Sequence, residues 1–474
     1  MTFGETRQYR AAALAILLIA GWNVGYRLDQ DILQTWDESL YATTAAEMLA
    51  SGDWVVTTFN GQVDYYNAKP PLNVWLIALS FTIFGIDLAS LRLVSALSAW
   101  LTIAVVQWWC WRAIGPRVAL AASLVLSTMF AFFFLHSARS GNADAMFTLL
   151  ITLTALAVWR GEERPWAFVW VGPLFGLSFM LKGMAFLLPV AVVGCVLAVR
   201  GGPARRDWLP LGAGLVAGAG GAGVWLLARY AADGGRFLGV LFGTDFVDRV
   251  AEPLDGHSGG LGYYLDTLQR DHYDWMAAAF VVLALAVARV GWARLRDDII
   301  AVDPRARRLV LAWALVTFLV PTAMSTKLGW YLNPFYPAFA VAGGWVLIWG
   351  LGVLRGTGGW RWRVAVAVVL LAAGVAEGKL LWYAHNKRNL RGTPQGLILS
   401  GHIPSGARIF LPAWEHADRF VLEHMRAGGA VAGGPAEFLA SSGADEFLLT
   451  TWPVEDERLV EVRRDGRVAL FRRR

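Results

Sequence analysis

The chain has 474 residues, of which 56% are apolar and 13% aromatic, against only 16% charged. Soluble domains carry roughly 25% charged residues. This composition, with a mean hydropathy of +0.47, therefore excludes a string of soluble domains and equally a disordered or fibrous chain. Two cysteines exclude a disulfide scaffold. A polytopic α-helical membrane protein with room for one modest soluble domain remains.

In chain order, apolar runs long enough to cross a hydrocarbon core of about 30 Å predict about eleven transmembrane helices. They fall at 8–24, 90–111, 117–135, 143–159, 165–181, 184–200, 208–230, 275–293, 308–326, 331–352 and 362–383. The run 72–85 is shorter and reads as an interfacial helix. The run 11–21 is kept as an anchor, since no small-residue cleavage site closes it. Arginines such as Arg112, Arg117, Arg160, Arg164, Arg200, Arg205, Arg206, Arg305, Arg307 and Arg308 crowd the short loops of one side. By the positive-inside rule that side is cytoplasmic. The same arginines account for the net charge of +6, and no nucleic-acid partner is expected. Segments 25–89 and 231–274 and the tail after 384 then face outward, the periplasm of a bacterial inner membrane.

The predicted division is a transmembrane unit, 1–383, followed by a small α/β periplasmic domain, 384–474. In that tail short alternating runs at 407–411 and 445–451 read as strands. Asp465-Gly466 between 458–463 and 467–472 reads as a hairpin. Gly218, Gly220 and Gly223 match a dinucleotide-binding pattern, but they lie inside an apolar span without a preceding strand. With Gly214 and Gly218 at G-x-x-x-G spacing, close helix packing is the better reading. Cys110 and Cys195, inside predicted helices, read as apolar fillers.

The chemistry collects on the outward side. The first loop opens Trp36-Asp37-Glu38-Ser39-Leu40-Tyr41 and closes Asn67-Ala68-Lys69-Pro70-Pro71. Charge this close to hydrocarbon is costly and tends to be functional. A second carboxylate follows in Arg139-Ser140-Gly141-Asn142-Ala143-Asp144. Asp248-Arg249, His257 and Tyr263-Tyr264 lie in the second loop, and Lys327 and Tyr331 where two late spans meet. Each has an ordinary alternative: helix capping for Asp37 and Asp144, snorkelling for Lys69, a plain loop histidine for His257. Together, carboxylates, cations, tyrosines and a histidine at one membrane face form an inventory for gripping a phosphate leaving group and deprotonating an acceptor.

The stretches W-D-E-S-L-Y…K-P-P-L, A-R-S-G-N-A-D-A-M-F-T and K-L-G-W-Y-L-N-P-F-Y-P resemble, in order over residues 1 to about 350, the motifs of the GT-C superfamily. That superfamily includes bacterial aminoarabinose transferases and protein O-mannosyltransferases. The resemblance implies the GT-C fold and transfer of a sugar from a polyprenyl-phosphate donor to lipid A, lipopolysaccharide, a surface glycan or a protein hydroxyl. It implies Asp37 as catalytic acid/base with Glu38 and Asp144 in the catalytic set, and Lys69, Arg249 and Tyr331 on the donor phosphate. Tyr41, His257, Tyr263 and Lys327 are further candidates for substrate binding. Ala68 stands where aminoarabinose transferases typically have Glu, and Asp245-Phe246 where they tend to have Glu-His. Those residues are associated with a metal, so no metal and no other cofactor is expected here. Three other readings stay open: a transporter or flippase of polyprenyl-linked lipids, a lipid-binding scaffold without activity, and a hydrolase or phosphoglycosyl transferase acting on the same carrier.

Overall fold

The structure is a computed structural model that describes residues 3–67, 69–243, 257–356, 359–386, 389–441, 443 and 445–474. Arg249, Asp245, Phe246 and Ala68, named above, lie outside the described residues. The chain opens with α1 (Phe3–Gly25), α2 (Asp37–Ser51), α3 (Leu72–Phe84), α4 (Leu88–Ala113), α5 (Pro116–Ser127) and α6 (Phe130–Phe134). It continues with α7 (Asp144–Glu163), α8 (Val171–Lys182), α9 (Leu187–Arg200), α10 (Trp208–Asp233) and α11 (Arg236–Phe242). The last long helices are α12 (Tyr263–Ala301), α13 (Pro304–Ala323), α14 (Tyr336–Arg355) and α15 (Trp360–Asn386).

Among the described residues, nine helical runs are long and apolar enough to cross a membrane. One of them, Pro165–Arg200, contains two of the predicted spans. It reverses at Gly183, whose φ of 54° and ψ of −132° lie outside helical values. Lys182, at the turn, pairs with Asp144 at the start of α7. Arg200, at the far end, pairs with Asp207, beside the end of α7 where Arg308 meets Glu162 and Arg305 meets Glu163.

The predicted span 117–135 needs correction. α5 has only 12 residues, about 18 Å of helix against about 30 Å of hydrocarbon. It stops at Thr128, whose hydroxyl bonds back to the Leu124 and Val125 carbonyls and accepts the Trp275 indole N–H. The short α6 follows. The interfacial run 72–85 forms the 13-residue α3, as expected.

Gly172, Gly214 and Gly218 let α8 and α10 touch backbone to backbone. A Cβ on Gly218 would stand 2.0 Å from the Gly172 carbonyl oxygen, and one on Gly172 would stand 1.9 Å from that of Gly214. This is the small-residue packing expected of G-x-x-x-G.

The tail forms a five-stranded sheet. Its order runs 429–432, 408–411, 446–450, 468–473, 459–465, parallel over the first three strands and antiparallel over the last two pairings. The hairpin turns at Gly466, whose φ is 57°. Strand 429–432 went unread in the sequence. The sheet does not stand apart from the first loop. Ile398, Phe420 and Leu422 share one buried cluster with Tyr41, Ala45, Ile77 and Phe81 of α2 and α3. The Gln395 side chain both accepts from the Leu33 amide (2.9 Å) and donates to the Leu33 carbonyl (3.1 Å).

Candidate functional site

Two buried arginines set the start of α2. Arg92, from α4, is 1% exposed. It donates to Glu38 through Nε (2.8 Å) and Nη2 (3.3 Å), and to the Leu28, Asp31 and Ile32 carbonyls. All five N–H bonds of a guanidinium are thereby used. Arg139 is fully buried and binds the Asp31 carboxylate and the Asn23, Val24 and Arg27 carbonyls. The chain leaving α1 is thus tied down at residues 23–38 from two sides.

That clamp separates the paired acids. Glu38 is fully buried, and besides Arg92 it accepts the Gly141 N–H (2.9 Å) and the Gln34 N–H (2.9 Å). The structure therefore corrects the placing of Glu38 in the catalytic set: its carboxylate is a structural anchor. Asp37 points elsewhere and keeps 37% of its side chain exposed. It does not cap α2. Trp36 occupies the cap position, with φ 78° and no side-chain cap bond. Asp144 does not cap α7 either, where Ala143 takes that place.

Around Asp37 the structure gathers Tyr41, Lys69, His136, Asp144, Lys182 and Tyr331. Lys69 hydrogen-bonds the Tyr41 hydroxyl and lies 5.7 Å from its ring centroid. Burial holds the Tyr41 pKa above its ordinary value, the Lys69 charge pulls it down, and Asp37 and Asp144 push it up. Asp144 is 5% exposed and receives Lys182 Nζ at 2.5 Å. The same ammonium lies 5.5 Å from the Phe147 ring centroid and 5.8 Å from that of Tyr331. His136 Nδ1 is 3.7 Å from Asp37 Oδ2. The ring stacks on Trp330 with centroids 3.7 Å apart.

Lys327 is a second correction. Its ammonium has three donors, and these go to the carbonyls of Pro321 (3.1 Å), Thr322 (2.5 Å) and Met324. It caps the end of α13 and has no donor left for a substrate. His257 is exposed, and its carbonyl accepts the Lys327 amide (2.9 Å). Tyr263 is half-buried, edge-on to Tyr264 at 5.0 Å.

Lys182 and His136 escaped the sequence reading. Lys182 had a signal, as a lone ammonium closing an otherwise apolar span. His136, behind a run of phenylalanines, had none. Among the described residues no cluster of His, Cys, Asp and Glu forms a metal-binding group.

Three comparisons bear on this arrangement. The family model described as dolichyl-phosphate-mannose-protein mannosyltransferase matches residues 68–221. The crystal structure of ArnT from Cupriavidus metallidurans bound to undecaprenyl phosphate superimposes with a TM-score of 0.67. That match covers 99% of this chain and 98% of that one, at 19% identity. The fold is GT-C. The GT-C resemblance extends to sequence. An undecaprenyl phosphate-α-4-amino-4-deoxy-L-arabinose arabinosyl transferase of Pseudomonas fluorescens is 29% identical over 409 residues, 82% of this chain and 64% of that protein. One of Pseudomonas savastanoi is 34% identical over 194 residues, 39% of this chain and 35% of that protein. The chain spans just under two thirds of the first of these. It is a multi-pass membrane protein with a GT-C core.

Proposed function

We propose that this chain transfers a sugar from a polyprenyl-phosphate donor to an acceptor hydroxyl, at the periplasmic face of a bacterial inner membrane. The observation that carries the reading is the convergence of a half-open carboxylate, Asp37, with two ammonium groups, Lys69 and Lys182, at one end of an apolar bundle. The relatives' names, which specify undecaprenyl phosphate and a sugar, support the same reading.

The proposed step is a single displacement. The acceptor oxygen attacks the anomeric carbon while Asp37 takes its proton. The bond to phosphate breaks with its electron pair leaving on the carrier, and the configuration inverts. Lys69 and Tyr331, with Arg249 by resemblance, meet the charge growing on that phosphate. Preorganised donors of this kind are worth about 10²–10³ in rate each. Asp144, held by Lys182, orients the ammonium near Tyr331 rather than competing for the proton. Transfer proceeds without a metal, in keeping with Ala68 in place of a carboxylate. The test incubates purified protein with a panel of polyprenyl-phosphate sugars and an envelope acceptor fraction, followed by mass spectrometry. Loss of one donor with its sugar on a new product supports the reading. A panel left untouched, with labelled carrier lipid moved across vesicles, would favour the flippase reading instead.

A further inference from the structure

His136, whose Nδ1 stands 3.7 Å from Asp37 Oδ2, has no place in the mechanism above. His136 follows the short helix α6 and has φ 51°, a conformation that costs any residue with a Cβ. Trp36, immediately before Asp37, is also held at positive φ, 78°. Two strained backbones thus present an imidazole and a carboxylate to each other. The ring cannot swing freely. Trp330 lies against one face with planes 12° apart, and only 20% of the side chain is exposed.

Its Nδ1 edge faces two groups. The Asn142 amide nitrogen stands at 3.0 Å and Asp37 Oδ2 at 3.7 Å. Asn142 Oδ1 is buried and has no partner among the described residues. Exchanging the two ends of this amide turns the group facing Nδ1 from a donor into an acceptor. The pair therefore has one arrangement for a bare Nδ1 and another for Nδ1–H.

We infer that His136 is the positioning residue for Asp37, and that it relieves Asp37 of the proton taken from the acceptor. This rests on the transfer proposed above. The proton leaves the acceptor hydroxyl as its oxygen bonds to the anomeric carbon, and passes to Asp37. It then moves to His136 Nδ1 as Asn142 turns its oxygen inward, and from the imidazolium to water. Asp37 is left as the carboxylate for the next turnover. The charged groups facing His136 are Asp37 and Glu38 from α2, Asp144 from α7 and Lys182 from α8. Burial outweighs the pull of the carboxylates and lowers its pKa, which keeps the ring neutral and ready to accept.

The test uses His136→Phe, which keeps the stack on Trp330 but removes Nδ1, and His136→Gln, which restores a polar group. Binding of undecaprenyl phosphate alone, acceptor KM, kcat and the pH profile of kcat are measured beside wild type and Asp37→Asn. His136→Phe is expected to bind undecaprenyl phosphate within about two-fold of wild type and keep its KM. Its kcat should drop about 10²-fold, the low end of proton-transfer effects. The acidic limb of its profile should move to lower pH, because protonation of His136 no longer blocks turnover. His136→Gln should recover part of the rate but not the limb. A kcat within two-fold of wild type overturns the inference. So does a loss with an unmoved limb and an equal loss of binding, which is what a purely structural role gives. If Asp37→Asn is dead and His136→Phe is not, the inference alone falls. If Asp37→Asn transfers normally, the reading it rests on falls with it.

Discussion

Glu38 and Asp37 are adjacent in sequence, and the structure gives them opposite consequences on mutation. Glu38→Ala leaves the Arg92 guanidinium, 1% exposed, facing an empty space. Removing one partner of a buried pair costs about 3–5 kcal/mol. It also strands the Gly141 and Gln34 amides, now bound at 2.9 Å each, at about 1–3 kcal/mol for each that water does not reach. The sum rivals the whole stability of many domains, about 5–15 kcal/mol. Glu38→Gln keeps an acceptor but loses the charge, so a smaller loss is expected. Asp37→Asn, on a half-open side chain, should leave stability within about 0.5 kcal/mol. Thermal unfolding in detergent, read by tryptophan fluorescence, separates the three. Glu38→Ala should unfold far earlier or fail to accumulate, Glu38→Gln should fall between, and Asp37→Asn should match wild type. A Glu38→Ala protein with unchanged melting and abolished transfer would refute the clamp and return Glu38 to the chemistry.

Lys182→Met strands the buried Asp144 carboxylate and should destabilise the protein by about 3–5 kcal/mol. Adding Asp144→Asn should recover most of that stability in a double-mutant cycle while transfer stays low; recovered transfer would deny the ammonium any role beyond pairing. Asp418, 6% exposed beside the first loop, has its pKa raised to about 6, first by burial and further by Glu415, against a Gln395 hydrogen bond. The folded state therefore holds this proton more tightly than the unfolded one, so Asp418 should weaken the fold as pH rises from about 4 to about 6. Asp418→Asn should flatten that slope in a pH series of melting curves and add up to about 3 kcal/mol at pH 7; an unchanged slope contradicts this. Exhaustive chelation should leave transfer within two-fold of untreated enzyme; loss restored by one divalent ion would contradict metal independence.

Much of the architecture was legible because hydrocarbon imposes length and apolarity on every crossing. α4, α7 and α10 follow from that rule, and so does the division of Pro165–Arg200 into two spans, since its 36 residues exceed one crossing. The break after Ser127 was not legible, since it depends on what Thr128 finds across the bundle, the Trp275 indole. The strands at 408–411 and 446–450 announced themselves by alternation, whereas 429–432, Gly-Ala-Val-Ala, carries too little side chain to alternate. At the site, carboxylates and cations next to hydrocarbon were visible as a cost that needs a reason. Which way each one points was not. Consecutive helical residues diverge by about 100°, so Asp37-Glu38 reads as a pair although only Asp37 opens outward. Lys327 looked like a free cation because the carbonyls that claim it belong to a helix end that only the fold defines. His136 owes its place to a left-handed turn that no local pattern signals.

The most direct measurement is the single-turnover consumption of a polyprenyl-phosphate sugar by wild type and Asp37→Asn, with undecaprenyl phosphate affinity measured on both. The account predicts equal affinity, transfer by wild type to a product of inverted anomeric configuration, and a loss of at least about 10²-fold in the variant. Transfer at the wild-type rate by Asp37→Asn, or retention of configuration, would contradict Asp37 as the base of a single displacement.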